Sequence, residues 1–410
     1  MTPLERNGLP LRTSSFSQLK LYNFFVYGAI AVFTSFFQIY LQDIGLTKIE
    51  IGTLMAIGPF VSLFANPFWG YMSDRTQNIR RTVLIMVAGT LLFVQAVFLA
   101  QSYSLIFTAM IFYYFFQSPL FAQTNSMILT YIDGTEHKFG SFRLWGSMGW
   151  AFTAISVGPI MDRLGDSHIS LVFSVLLILA FGFALLLPSL KRSSDAPIVT
   201  MRGFSQVILN PYFMTFIVLG ILVSIPNAMN SSFVSLYITE LGGSKQMVGL
   251  AVFMSSILEI GVFLLFDRFL KRKMTIMLAC LTIVSLLFAL RWELMALAST
   301  PMQIAFIQLL HSVTFGGYFY VGTQLTILFI PKPYRSSGQA LYTLSWSGIS
   351  GVIAGIFGGF MFQSFGASVM YLVGVFMSAA GTIGFGIMYY LVRRYGYQPP
   401  LPSNYKVNSG

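Results

Sequence analysis

Twelve stretches of this 410-residue chain are each apolar and long enough to cross a bilayer, since a helix spans the hydrocarbon core with about 20 such residues. They lie near 17 to 41, 49 to 72, 82 to 100, 104 to 131, 139 to 160, 168 to 189, 212 to 239, 246 to 266, 275 to 297, 302 to 330, 336 to 364 and 367 to 394. That repetition predicts an all-α membrane protein. Composition names the same solvent: 9% of the residues are charged and 56% hydrophobic, against roughly 25% charged in soluble domains.

The net charge of +11 is dispersed over short loops instead of forming one stripe, which argues against nucleic acid. It encodes orientation. If the first span starts inside, nineteen Lys and Arg fall on the cytoplasmic side, and only Lys48, Arg163 and Lys245 fall outside. By the positive-inside rule both termini are expected in the cytoplasm of a multi-pass protein of the cell membrane. The first 16 residues are polar and show no cleaved signal peptide. Cys280 is the only cysteine, so neither an intramolecular disulfide nor a multi-cysteine metal site is expected.

The longest polar stretch between spans, Pro188 to Asn210, divides six spans from six. The expected organisation is an N-terminal half over 1–189, a cytoplasmic linker over 190–211, a C-terminal half over 212–394 and a cytoplasmic tail over 395–410. The halves echo each other. Thr47-Lys48-Ile49-Glu50 opens the second span and Ser244-Lys245-Gln246-Met247 the eighth; each hydroxyl residue can cap its helix, and Thr47 with Glu50 has capping-box spacing. Gly70, Asp74 and Arg75 close the second span as Asp267 and Arg268 close the eighth, and the fifth and eleventh spans are both glycine-rich. Such duplication predicts two six-helix halves related as parallel repeats.

The Asp-Arg loop with its following basic residues resembles the signature of the major facilitator superfamily. Arg80 and Arg81 lie two residues further from Asp74 than that pattern has them, whereas Asp267 to Arg272 keeps its spacing. The resemblance implies that Gly70, Asp74, Arg75, Asp267 and Arg268 form a conformational latch on the cytoplasmic side. A second stretch, Phe139-Gly140-Ser141-Phe142-Arg143-Leu144-Trp145-Gly146-Ser147-Met148-Gly149-Trp150, is similar to the start of the fifth span in the proton symporters of the lactose, nucleoside and phenylpropionate permease group. By that likeness Arg143 binds substrate hydroxyls or a carboxylate with its rigid fork of donors. Trp150, two turns on and on the same face, stacks on a sugar or aromatic ring. Asn125 stands where lactose permease has a carboxylate, so it cannot neutralise Arg143. Gln123 lies on an adjoining turn, and Tyr27 in the first span belongs to a helix that faces the cavity in this fold.

Three ionisable residues sit inside apolar spans of the second half: Glu259, Arg291 and His311. Such residues usually mark an ion or substrate route. Burial favours the neutral form of a carboxyl and a nearby guanidinium its ionised form. Glu259 approached by Arg291 is therefore expected to load and release a proton, with His311 linking the two or bonding substrate. Thr314 stands where lactose permease has a proton-releasing glutamate. Pro59, Pro67, Pro119 and Pro226 are expected to bend their spans.

Nothing here resembles a Walker loop, a catalytic triad or a metal constellation, so an enzyme is not expected. The expectation is a monomeric, proton-coupled symporter that needs no cofactor beyond the proton and imports a small polar organic solute, a sugar or glycoside first and a nucleoside or aromatic acid next. The alternatives are a proton-antiporting exporter of lipophilic compounds and a membrane sensor that binds solute without moving it. Arg143, Asn125 and His311 make the cavity more polar than an exporter of greasy compounds needs.

Overall fold

The computed structural model describes residues 13–165, 168–190, 208–331 and 334–397. The segment 191–207, which holds most of the expected linker, and the tail beyond 397 lie outside the described residues. Among the described residues nine helices are long and apolar enough to cross a membrane. The first to fourth spans are Ser14–Asp43, Lys48–Thr76, Ile79–Leu99 and Tyr103–Ile132; the sixth, seventh, ninth and tenth are Ile169–Leu186, Pro211–Glu240, Met274–Ala296 and Pro301–Phe329. The last apolar helix, Ser337–Tyr395, holds the eleventh and twelfth together. They part at Gly366, whose φ of 83° is a left-handed conformation natural only to glycine. The fifth, Phe139–Leu164, is diluted by Arg143, Asp162 and Arg163, and the eighth is two short helices, Lys245–Ile257 and Glu259–Phe269. With these the twelve helices of the fold are accounted for.

Local chemistry sets the helix starts. Thr47 accepts the Glu50 N–H while Glu50 accepts the Thr47 N–H, so the expected capping box is formed, and Ser244 caps the eighth span. Pro119 separates the two helices of the fourth span, but Pro59, Pro67 and Pro226 ride inside unbroken helices. The eighth span breaks at Leu258 and the tenth at Gln308 without proline, and the eleventh carries a π-helical turn over Leu344–Ile349. Such wide turns often accompany functional sites.

Among the described residues the two halves meet chiefly where the first span packs on the seventh and eighth, the second on the eleventh and the fifth on the eighth. Glycine permits the closest of these. A Cβ on Gly52 would strike the Gly355 carbonyl, and one on Gly249 the Ala154 carbonyl. Polar links cluster at the end remote from Thr13 and Tyr397. Lys48 pairs with Glu240 at 2.5 Å and lies 3.9 Å from the centroid of the Phe362 ring. The Ile49 N–H donates to Gln363 Oε1, and Asp162 accepts the Lys245 and Gln246 N–H groups at 3.0 Å each. One end of the interface is thereby shut. Toward the other, Leu120–Ile132 of the fourth span and Leu309–Phe329 of the tenth pack within their own halves, and the space where the halves part is taken as the cleft.

Candidate functional site

The fifth span's start places Arg143 at the wall of that cleft. Gly146, one turn on, has no side chain to separate it from the first span, so the guanidinium lies over the Tyr27 ring, 4.6 Å from its centroid. Nη1 donates to Ser147 Oγ at 3.3 Å. Tyr27 in turn donates its hydroxyl to Asn125 Oδ1 at 3.5 Å, and its ring meets Phe121 edge-on at 4.7 Å. Phe121 leans on Trp150 at 6.5 Å. Arg143, Tyr27, Asn125 and Trp150 therefore share one aromatic-walled patch built by the first, fourth and fifth spans. Gln123 does not join it: the side chain is buried, and its Oε1 has no hydrogen-bond partner.

Across the cleft, the break at Leu258 makes Glu259 the first residue of the second short helix, beside Gly316 of the tenth span. The residue is half-buried and no side chain among the described residues bonds its carboxylate. The cation acting on it is Arg143, from the opposite half.

Arg291 corrects an expectation. It is fully buried and does not partner Glu259. Nη2 donates to Gln308 Oε1 at 2.6 Å, Nη1 faces His311 Nδ1 at 3.1 Å and Thr314 Oγ1 at 3.3 Å, and the guanidinium lies over Trp292. Gln308 also bonds Asn230, which accepts the Tyr371 hydroxyl. His311 consequently touches Arg291 without bridging it to Glu259. The reason is geometric: three neutral polar groups of the tenth span engage the arginine's terminal nitrogens within its own half, and Asn230 of the seventh and Tyr371 of the twelfth stand behind Gln308. Gln308 and Tyr371 are the participants missed in the sequence. An amide three residues before His311 in an apolar run was a usable signal for the first; nothing distinguished Tyr371 from the other tyrosines.

Of the residues expected to form a latch, Arg75 and Arg268 are exposed, the latter over the Phe269 ring, and a Cβ on Gly70 would meet open space. Asp74 ends the second span beside Arg75, and the side chain of Asp267 lies outside the described residues. Among the described residues no group of three or more His, Cys, Asp or Glu is disposed to hold a metal.

Comparison with known proteins adds four findings. The model of the MFS_1 like family matches residues 16–373. The chain is 26% identical over 389 residues to the maltose permease of Geobacillus stearothermophilus, covering 94% of this chain and 96% of that one. It is 25% identical over 349 residues to the uncharacterized transporter YwbF of Bacillus subtilis, covering 85% and 86%. The crystal structure of the nucleoside transporter NupG is similar with a TM-score of 0.78 at 15% identity, over 91% of this chain and 98% of that one, a likeness of fold.

Proposed function

This chain belongs to the MFS_1 like family and is a multi-pass secondary transporter of small molecules rather than an enzyme, and from that premise we propose that it is a proton-coupled symporter importing a small polar organic solute, a sugar or glycoside first. The supporting observation is the opposition of Arg143 and Glu259, one on each half. A solute whose hydroxyls accept from Arg143 and donate to Glu259 ties the halves together, while its ring stacks on Trp150. Protonation of Glu259 changes the charge that faces Arg143, which couples proton occupancy to closure of the cleft by rocking of the halves.

The maltose permease among its relatives supports the sugar class. An aromatic or sugar acid is the second reading, supported by Asn125 standing in the place of a carboxylate beside Arg143. With the Lys and Arg bias placing the termini inside, the cleft opens to the cytoplasm and the glycine-packed end faces outward. We place the protein in the cell membrane, acting as a monomer.

Proteoliposomes carrying an internal pH dye test the proposal. Addition of sugars, glycosides, nucleosides and aromatic acids in turn is expected to acidify the lumen for one class. Glu259→Gln is expected to abolish uphill accumulation while leaving solute counterflow. Uphill accumulation by Glu259→Gln at the wild-type rate overturns the role of that carboxyl.

A further inference from the structure

A guanidinium carries five N–H donors and no acceptor, and it keeps its proton in proteins. An imidazole nitrogen that it approaches within hydrogen-bond distance must therefore be the bare one. Arg291 Nη1 stands 3.1 Å from His311 Nδ1. It cannot swing away: Nη2 is held by Gln308 at 2.6 Å, and Gln308 is anchored through Asn230 to Tyr371. The Thr314 hydroxyl is turned onto the Leu310 carbonyl at 2.8 Å, so its oxygen is left to accept from the same Nη1.

The imidazole itself is fixed from the other side. Phe315 stacks on it with centroids 4.9 Å apart and planes 8° from parallel. Its Nε2 has no hydrogen-bond partner among the described residues and is not among the buried orphaned atoms, so it is left for a ligand. Of the ionisable groups on helices packed against the tenth span here, Arg291 of the ninth is in contact and Glu259 of the eighth is not. Tyr371 is engaged with Asn230, and Tyr318 and Tyr342 lie farther along, against Gly220 and Gly322.

We infer that Arg291 is a positioning residue that holds His311 as a neutral imidazole with its proton on Nε2, so that His311 presents a hydrogen-bond donor to the solute and carries no coupling proton. A cationic imidazole would aim its Nδ1–H at an N–H of a second cation. The ligand atom facing His311 is thus an acceptor: a hydroxyl, carbonyl or carboxylate oxygen. This deepens the transport reading by leaving Glu259 as the proton carrier, but the protonation state itself can be read without transport.

The test is 15N magnetic resonance of histidine-labelled protein in bilayers, in a His137→Gln, His168→Gln background that leaves His311 as the sole histidine. One bare Nδ1 and one protonated Nε2 are expected, unchanged between about pH 5 and 8, across the range where a free imidazole titrates near 6.5. Both nitrogens protonated at about pH 6, or the proton on Nδ1, overturns the proposal. Arg291→Met is expected to release the imidazole to titrate or to mix tautomers, and an unchanged spectrum in a folded Arg291→Met protein overturns Arg291 as the cause. If that variant does not fold, uptake decides the same point: His311→Gln, whose amide N–H can replace Nε2–H, is expected to keep at least a tenth of wild-type uptake with the wild-type pH profile, and His311→Asn to keep less. The reverse ranking overturns the proposal. Absence of any proton-coupled uptake by the wild type defeats the transport reading and leaves the spectrum to stand on its own.

Discussion

Each half contributes one arginine to the middle of the protein, and the two differ in how far their donors are committed. Arg291 is fully buried, with Gln308, His311 and Thr314 on its terminal nitrogens and Trp292 beneath it. Arg143 is half-buried, with one long hydrogen bond to Ser147 and the Tyr27 ring against its plane. A buried charge whose terminal nitrogens are engaged inside its own half organises that half. A charge with donors to spare, facing a carboxylate on the other half, is available to a ligand. Type and burial in an apolar span made both residues stand out in the sequence; only their partners separate a positioning role from a binding one.

The sharpest way to break this contrast is to neutralise each arginine and read uptake and stability together. Arg143→Gln is expected to lower uptake about a hundredfold, since hydrogen bonds to a charged group contribute about 1.5–3 kcal/mol and each 1.4 kcal/mol is tenfold. Its thermal midpoint in detergent should stay at the wild-type value. Arg291→Met should show the converse pattern. It takes one of two donors from Gln308 and leaves the Thr314 oxygen without one in a buried setting, at about 1–3 kcal/mol for a group left unsatisfied, so its midpoint falls. Equal loss of stability in both variants would sink the distinction.

The contrast also marks what sequence could and could not reveal. Span positions, the Thr47–Glu50 capping box and the paired starts of the second and eighth spans follow from local chemistry, and they were legible. The pairing of Arg291 was not, because it depends on how the seventh, ninth, tenth and twelfth spans rotate against one another. For the same reason the breaks at Leu258 and Gln308 escaped notice: with no proline to force them, they arise from packing. The break at Leu258 matters most, since it sets the direction of Glu259.

A smaller effect sharpens the binding side of the contrast. Trp150 touches the Arg143 patch only through Phe121, so it should add affinity without setting charge. Trp150→Leu is expected to raise KM about threefold to tenfold with little change in kcat, because aromatic pairing contributes about 0.5–1.5 kcal/mol beyond area burial. A loss confined to kcat would instead place Trp150 in the conformational step.

Commitment of charge can also depend on conformation, and Asp162 is the case in point. Its two oxygens accept the first two N–H groups of the eighth span, so a carboxylate of one half caps a helix of the other. The matching link at the second span uses the neutral amide of Gln363. Both links exist only while this end is shut, and the charged one gains from the positive end of the helix dipole by about 0.3–1 kcal/mol. Asp162→Asn keeps the shape and removes the charge. It should shift the equilibrium toward opening at this end about twofold to fivefold, read as longer distances between spin labels at Ile44 and Leu297 in a Cys280→Ser background. Gln363→Ala should shift it less, and since the Lys48–Glu240 pair is retained in both variants, neither should hold the protein permanently open. A larger shift from Gln363→Ala would mean that the amide, and not the carboxylate, governs closure.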